Sequence, residues 1–398
     1  MTIKHVKMIH LKRTILLLVI AFCFSSLQAQ ELQTIDVESA IDKKSESVAM
    51  SEYAESISYC PLETNDNCTI DRNIKVSATK DEIIVRSKSG CFLFDRKTGK
   101  FIRKIGTEGR GPGEYYSVSG LVNPLSRFVY FIGHQGVLLK YGFDGVYKKK
   151  IKIPDYSGDP GSKGMSTPTN YSYWKDDIVL YYENMTGIDK NKIQIITEEG
   201  EKIANFPNEQ VFDKTQGITI NLDQAQFYHY GNELFYKDEY SVPLYRITNE
   251  RLVPRMNLNL GKYQPSMSSK WGSIQDAEQH FNDFVALRDF LESRSHLLFG
   301  VHKGKKYWHA VYDKKDEKLK LALKDEIIND IDGFISCIPV VMTTDGYWMG
   351  YVQPYIIKAW FYQHPDKASK LSPELKKLKD LDEMANPVIV FIKPKDTE

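Results

Sequence analysis

Several motifs that announce chemistry are missing from this chain. No Gly-Lys-Ser/Thr follows a glycine-rich run, no His-Glu-x-x-His, His-x-His or His-x-x-Glu-His spacing occurs, and no Gly-x-Ser-x-Gly is present. A P-loop, a zinc-hydrolase helix and a nucleophile elbow are thereby excluded. The acidic turns "DRKTGK" and "DKKDEK" lack the oxygen-rich spacing of a calcium loop. Charge of one sign is missing too: 53 Lys+Arg face 52 Asp+Glu, which gives no basic surplus for nucleic acid. Cysteines number five, at no zinc spacing. After residue 24 no apolar run approaches the about 20 residues of a membrane span.

What is there begins with a leader. Lys4, Lys7, Lys12 and Arg13 precede an apolar run from Ile15 to Phe24, and small and polar residues end at Ala29. That order reads as a secretory signal peptide over residues 1–29. Its loss leaves 49 basic against 52 acidic residues, a net of −3. Cys23 raises lipidation, but Phe22 directly before it argues against a lipoprotein. The expected location is outside the cytoplasm, in the periplasm or associated with the outer membrane. Of the remaining Cys60, Cys68, Cys91 and Cys337, the first two flank a turn-rich loop and are the candidate disulfide, with free or buried thiols as the alternative.

Short β-rich runs fill most of the length. "DEIIVRSKSGCFLFDRKTGKFIRKIG" (81–106) and "RFVYFIGHQGVLLKYGFDGVYKKKIKIP" (127–154) share one plan, and weaker copies start at Asp177, Asn232, His296 and Gly346. Turn acids Asp95, Asp144, Glu199, Glu250 and Asp313 recur at roughly fifty to sixty residues. A period of that size, made of three or four strands, predicts propeller blades: one small sheet buries neither face alone, whereas a ring of sheets buries both. Six units fit, giving an all-β, six-bladed β-propeller. "SISYCPLE" (56–63) and "NPVIVFIKP" (386–394) are expected to pair within one blade and close the ring.

The expected organisation is a signal peptide (1–29), a lead-in segment (30–55) and the propeller (56–398). Two runs read as helical insertions. Residues 273–294 open with a capping-box-like Ser273-x-x-Asp276, and residues 372–386 carry Ser372 as N-cap with Pro373 behind it.

With "YCPLETND", "FLFDRKTGKFIRKIGTEGRGPGEY", "LLKYGFDGVYKKKIKIP" and "NPVIVFIK" in view, the chain resembles the six-bladed β-propeller proteins exported by Bacteroides-type bacteria, themselves similar to NHL-repeat propellers. The resemblance spans the mature chain. It implies a fold and an envelope location, and no catalytic residues. The cysteines at 60, 68 and 91 depart from the pattern.

Candidate ligand residues follow from the propeller geometry. The run "IGTEGRGPGEY" (105–115) is followed by strand, not by the helix a phosphate cradle needs, so it reads as a crossing between blades near a channel mouth. It offers Arg110, Glu114 and Tyr115. Aromatics and histidines beside polar residues add His134, Tyr173, Trp174, His229, Tyr230, Tyr347 and Trp348, although alternation places about half of such rings in the core. No metal or cofactor is expected. The function expected is a binding or interaction module for a small molecule, a glycan or an envelope protein, acting as a monomer. The alternative is a lyase or hydrolase acting on a glycan or peptide at the channel.

Overall fold

The strand Gly90–Asp95, sequence "GCFLFD", shows why these residues build blades. Phe92 and Phe94 pack toward the sheet that closes the ring, while Cys91 and Leu93 pack toward the next sheet in the chain. A strand buried on both faces loses the in-out alternation of a surface strand and becomes uniformly apolar. The computed structural model describes residues 32–156, 167–184, 189–208, 218–219 and 225–395. The signal-peptide residues and Cys23 lie outside them.

Six four-stranded units surround an axis. Blade 1 comprises Lys75–Ala78, Glu82–Ser87, Gly90–Asp95 and Phe101–Lys104. Blade 2 comprises Ser117–Asn123, Phe128–Ile132, Val137–Gly142 and Tyr147–Lys152. Blade 3 runs from Asn170–Trp174 through Asp177–Tyr181 and Asn191–Ile196 to Lys202–Pro207. Blade 4 is built of Gln226–Tyr230, Glu233–Lys237, Pro243–Ile247 and Leu252–Asn259, and blade 5 of Ala286–Glu292, His296–Lys303, Lys306–Asp313 and Lys318–Leu323. The first strand of each is innermost. Blade 6 takes Val341–Met342, Trp348–Val352 and Val388–Pro394 from the C-terminal end and its outermost strand, Ala54–Pro61, from the N-terminal end. The register sets Ile389 opposite Cys60 and Ile392 opposite Ile57, so the expected closure is present.

The core is divided accordingly. Six apolar clusters lie one between each pair of neighbouring blades. The residues before the propeller are built into this ring: Gln33–Asp36 adds a parallel fifth strand to blade 4, and Val48–Ala49 pairs with Ile327–Ile328.

The helical expectations need correction. The capping box at Ser273 is real, Ser273 Oγ accepting from the Asp276 N–H at 3.1 Å and Asp276 Oδ2 accepting from the Ser273 N–H at 2.6 Å. The helix, however, ends at Asp283, and Ala286–Glu292 is the inner strand of blade 5. Val285, Ala286, Leu287, Phe290 and Leu291 are all buried, and a run apolar on both faces imitates a helical stripe. The second expected helix is one short turn, Pro373–Lys376, followed by a 3-10 turn over Lys377–Asp380. The longest helix of that region is Pro354–Gln363, which the sequence reading missed; it packs Ile357 and Phe361 onto blade 6.

Cys60 and Cys68 are free, correcting the candidate disulfide. Both are buried, and burial first, then Asp95, pushes the Cys60 thiol up to about 11. The loop between them is held instead by Asn386, whose amide donates to the carbonyls of Glu63 (2.6 Å) and Cys68 (2.5 Å) and whose Oδ1 accepts from Ile70 N–H at 2.9 Å.

Candidate functional site

Inner strands run toward one face of the ring and end there, and their last residues surround a hollow of about 700 Å³. Blade 3 contributes Tyr173, Trp174 and Lys175, blade 4 Phe227 through Asn232, blade 5 Phe290 through Arg294, and blade 6 Val340 through Thr344. Ser77 of blade 1 and Val122 of blade 2 complete the circle. The hollow is therefore the mouth of the central channel.

Its aromatic side comes from blades 3 and 4. The Tyr173 and His229 rings stack at 3.9 Å and 15°, and His229 Nε2 lies 2.9 Å from the Tyr173 carbonyl, which can only accept, so this nitrogen carries the proton. Burial pushes the His229 imidazole down to about 4, so it is neutral near pH 7. Trp174 is partly exposed, with the Lys175 ammonium 4.4 Å from its ring, a cation–π contact. Lys175 itself has φ 58°, and its carbonyl accepts from Asn123 Nδ2 at 3.0 Å.

Among the described residues the mouth has a single carboxylate, Glu292, and it is already engaged. Glu292 is fully buried and bridges Arg255 and Lys314. Tyr228 Oη also donates to Glu292 Oε2 at 2.9 Å. Two cations and a phenol around one buried carboxylate are the arrangement that makes such burial tolerable. Tyr230 lies against the same pair, its ring centroid 4.8 Å from Lys314 Nζ.

The candidate residues thus separate by face. Tyr173, Trp174, His229 and Tyr230 meet at the channel mouth, two adjacent pairs that lie 55 positions apart in sequence (174 to 229). Arg110, Glu114, Tyr115 and His134 lie at the opposite face, because crossings run from an outer strand to the start of the next inner strand. There Glu114 folds back over its own loop, Oε2 accepting from Gly111 N–H at 2.7 Å. His134 Nε2 donates to the Gly109 carbonyl at 3.0 Å, and Tyr115 is buried against Phe131 with ring centroids 4.4 Å apart. Gly106 and Gly113 supply positive φ angles of 68° and 81°, the left-handed conformation that favours glycine. Arg110 is exposed. Tyr115 and Trp348 are corrected to core positions; Trp348 is wholly buried, 5.9 Å from Tyr53 between rings. Tyr347 is half-buried beneath the Arg96 guanidinium.

Residues missed in the sequence are Glu292, Arg255 and Lys314. Each looks like an ordinary strand charge, and only the ring brings blades 4 and 5 together around Glu292.

Fold and hollow define the class: a six-bladed β-propeller with an aromatic-lined, ligand-sized opening on its axis. Residues 32–393 match the family described as a domain of unknown function, DUF4934, and the chain belongs to that family. No curated protein matches it. Among solved structures it is similar to a protein of Bacteroides fragilis NCTC 9343 described as exported, at 14% identity, covering 92% of this chain and 99% of that one with a TM-score of 0.65. It also aligns with a functionally unknown protein of Desulfotomaculum acetoxidans DSM 771, at 12% identity over 65% of this chain and 74% of that one, TM-score 0.32. The first likeness is one of fold and agrees with the resemblance to exported Bacteroides-type propellers; the second is too distant to carry an argument. Among the described residues no helix is long and apolar enough to cross a membrane.

Proposed function

We propose that this protein is an exported binding module whose channel mouth holds a carbohydrate. The observation that carries the reading is the convergence of Tyr173, Trp174 and Tyr230 from two blades on one hollow of about 700 Å³. Flat rings flanked by polar lining residues, here Ser77 and Asn232, suit the apolar face and hydroxyl edge of a sugar ring. Binding is favoured over hydrolysis because Glu292, the hollow's own carboxylate, is spent on Arg255, Lys314 and Tyr228. A carboxylate held by two cations and a phenol has no freedom to attack. The leader over residues 1–29 and the name of the Bacteroides fragilis neighbour both support export.

The test is calorimetric titration of the mature protein with a panel of oligosaccharides. At least one should bind, and Trp174→Ala should weaken it by at least tenfold with an unchanged melting temperature. A panel without binders, or an unaffected variant, overturns the reading.

A further inference from the structure

A second cavity, of about 1310 Å³, lies across the ring from the channel mouth. It sits where the crossing from blade 5 to blade 6 meets the helix Pro354–Gln363. Its floor is a β-bulge. On the inner strand of blade 5, Arg288 pairs with Gly300 and Leu291 with Leu298, so Asp289 and Phe290 together oppose Phe299. Bulges re-aim side chains and recur beside functional sites, and here Asp289 takes φ 55°. The bulge separates two roles: Phe290 stacks on Tyr228 in the core between blades 4 and 5, and Asp289 is delivered to the cavity.

Three further features shape that floor. Gly300 has no side chain, and a Cβ there would overlap Tyr307 Oη, so the glycine is what lets the phenol cross the sheet to Asp289. Tyr307 Oη donates to Asp289 Oδ2 at 3.0 Å. The other carboxylate oxygen, Oδ1, has no hydrogen-bond partner among the described residues. His309 stands beside Tyr307, ring centroids 5.0 Å apart, and its nitrogens likewise find no partner among the described residues. Burial, then the nearby Lys324, pushes this imidazole down to about 4, so one of its nitrogens accepts near pH 7.

Above the floor the walls are largely apolar, Ile327, Ile338 and Val352 standing beside the rings of Phe334, Tyr355 and Trp360. The rim carries Lys324, Lys367 and Lys370 against Asp325 and Asp332, and Asp332 accepts from Asn329 Nδ2 at 2.6 Å. The cavity therefore has an acceptor floor, a mixed aliphatic and aromatic middle and a basic rim. An acceptor floor selects against an anion at depth.

We infer that this cavity binds the amino-terminal end of a peptide, the ammonium seated on Asp289 beside His309, apolar first side chains against the walls and an acidic continuation at the lysine rim. Capture of a chain terminus by a dedicated polar group is a recurring recognition mode, and an ammonium on a carboxylate forms charge-assisted hydrogen bonds. The site shares no floor or wall residue with the channel mouth; only Val340 borders both.

The test uses the mature protein and a synthetic tetrapeptide of leucine, isoleucine, glutamate and glutamate, with a free or an acetylated amino terminus. Calorimetry should show the free peptide binding at least tenfold more tightly than the acetylated one. Asp289→Asn should erase that difference while folding normally, since asparagine tolerates the left-handed region at least as well as aspartate. Trp174→Ala should leave it intact, which separates this site from the proposed carbohydrate site. Equal binding of the two peptides, no binding of either, or a difference that survives Asp289→Asn overturns the inference. The comparison of the two peptides on the unaltered protein needs no variant to fold.

Discussion

Glu292 shows how much one side chain can hold together. Its carboxylate is fully buried and joins Arg255 of blade 4 to Lys314 of its own blade. Glu292→Gln keeps the shape and removes the charge, leaving two cations facing each other. The expected loss is about 3–5 kcal/mol in denaturant unfolding, the range for breaking a buried ion pair from one side. His229 makes a different prediction at the same scale. Its folded imidazole titrates near 4 and its unfolded one near 6.5. Between these values the unfolded chain binds more protons, so stability present above about pH 6.5 falls as the pH drops toward 4. The difference amounts to about 3 kcal/mol. The stability–pH curve of His229→Gln should be flatter than that of the parent over this interval; parallel curves would show that His229 is not buried as described. Neither residue's role was legible in sequence. A glutamate in "FLESRSH" and a histidine in "FYHYG" acquire their partners only across blade boundaries.

The turn between the third and fourth strands of a blade is the element the sequence exposed best. In blade 1 Asp95 Oδ1 accepts from Thr98 N–H at 2.7 Å, in blade 2 Asp144 Oδ1 accepts from Val146 N–H at 2.9 Å, and in blade 5 Asp313 Oδ1 accepts from Lys315 N–H at 2.8 Å. These recurring acids close Asx-type turns. In blades 3 and 4 the job passes to Thr197 and Thr248, whose hydroxyls accept the turn N–H groups, so Glu199 and Glu250 are neighbours of the equivalent position and not its occupants. The turn glycines have a second task that no local reading reveals. Gly99, at φ 69°, sits on the Pro61 carbonyl of the preceding blade, and Gly200, at φ 85°, sits 2.6 Å (measured to an added Cβ) from the Lys152 carbonyl. Gly99→Ala therefore combines left-handed strain with a backbone overlap and should cost about 2–3 kcal/mol in chemical unfolding. Gly231→Ala, at φ 58° with open space around it, isolates the strain alone and should cost about 1 kcal/mol. Equal losses would remove the inter-blade role. Helix length was the element misread, since the inner strand of blade 5 is apolar on both faces and carries no period-2 signal.

At the scale of the whole molecule the ring is closed by seven residues at one end of the chain, Val388–Pro394, which pair with Ala54–Pro61. Asn386, just before them, clamps the loop 62–70 through three hydrogen bonds. Removing residues 387–398 leaves Ala54–Pro61 without a neighbour and opens two inter-blade clusters. Cooperative thermal unfolding should be abolished; a truncated protein that melts like the full chain would contradict a closure of this kind. The sequence by itself determined the repeat, the blade number, the closing strands and the crossing nature of residues 105–115. Those features are written in short-range patterns: apolar runs, turn acids and glycines a few residues apart. Only the tertiary structure decided which candidates share a site. Strand direction places Trp174, His229 and Tyr230 at one mouth of the channel and Arg110, Glu114 and His134 at the other face. It also unites Glu292 with Arg255, and a bulge at Asp289 delivers a carboxylate to a cavity where regular alternation would have buried it. Proximity around a ring depends on the angle each blade turns through, and that quantity is summed over every sheet and recorded in no single stretch of residues.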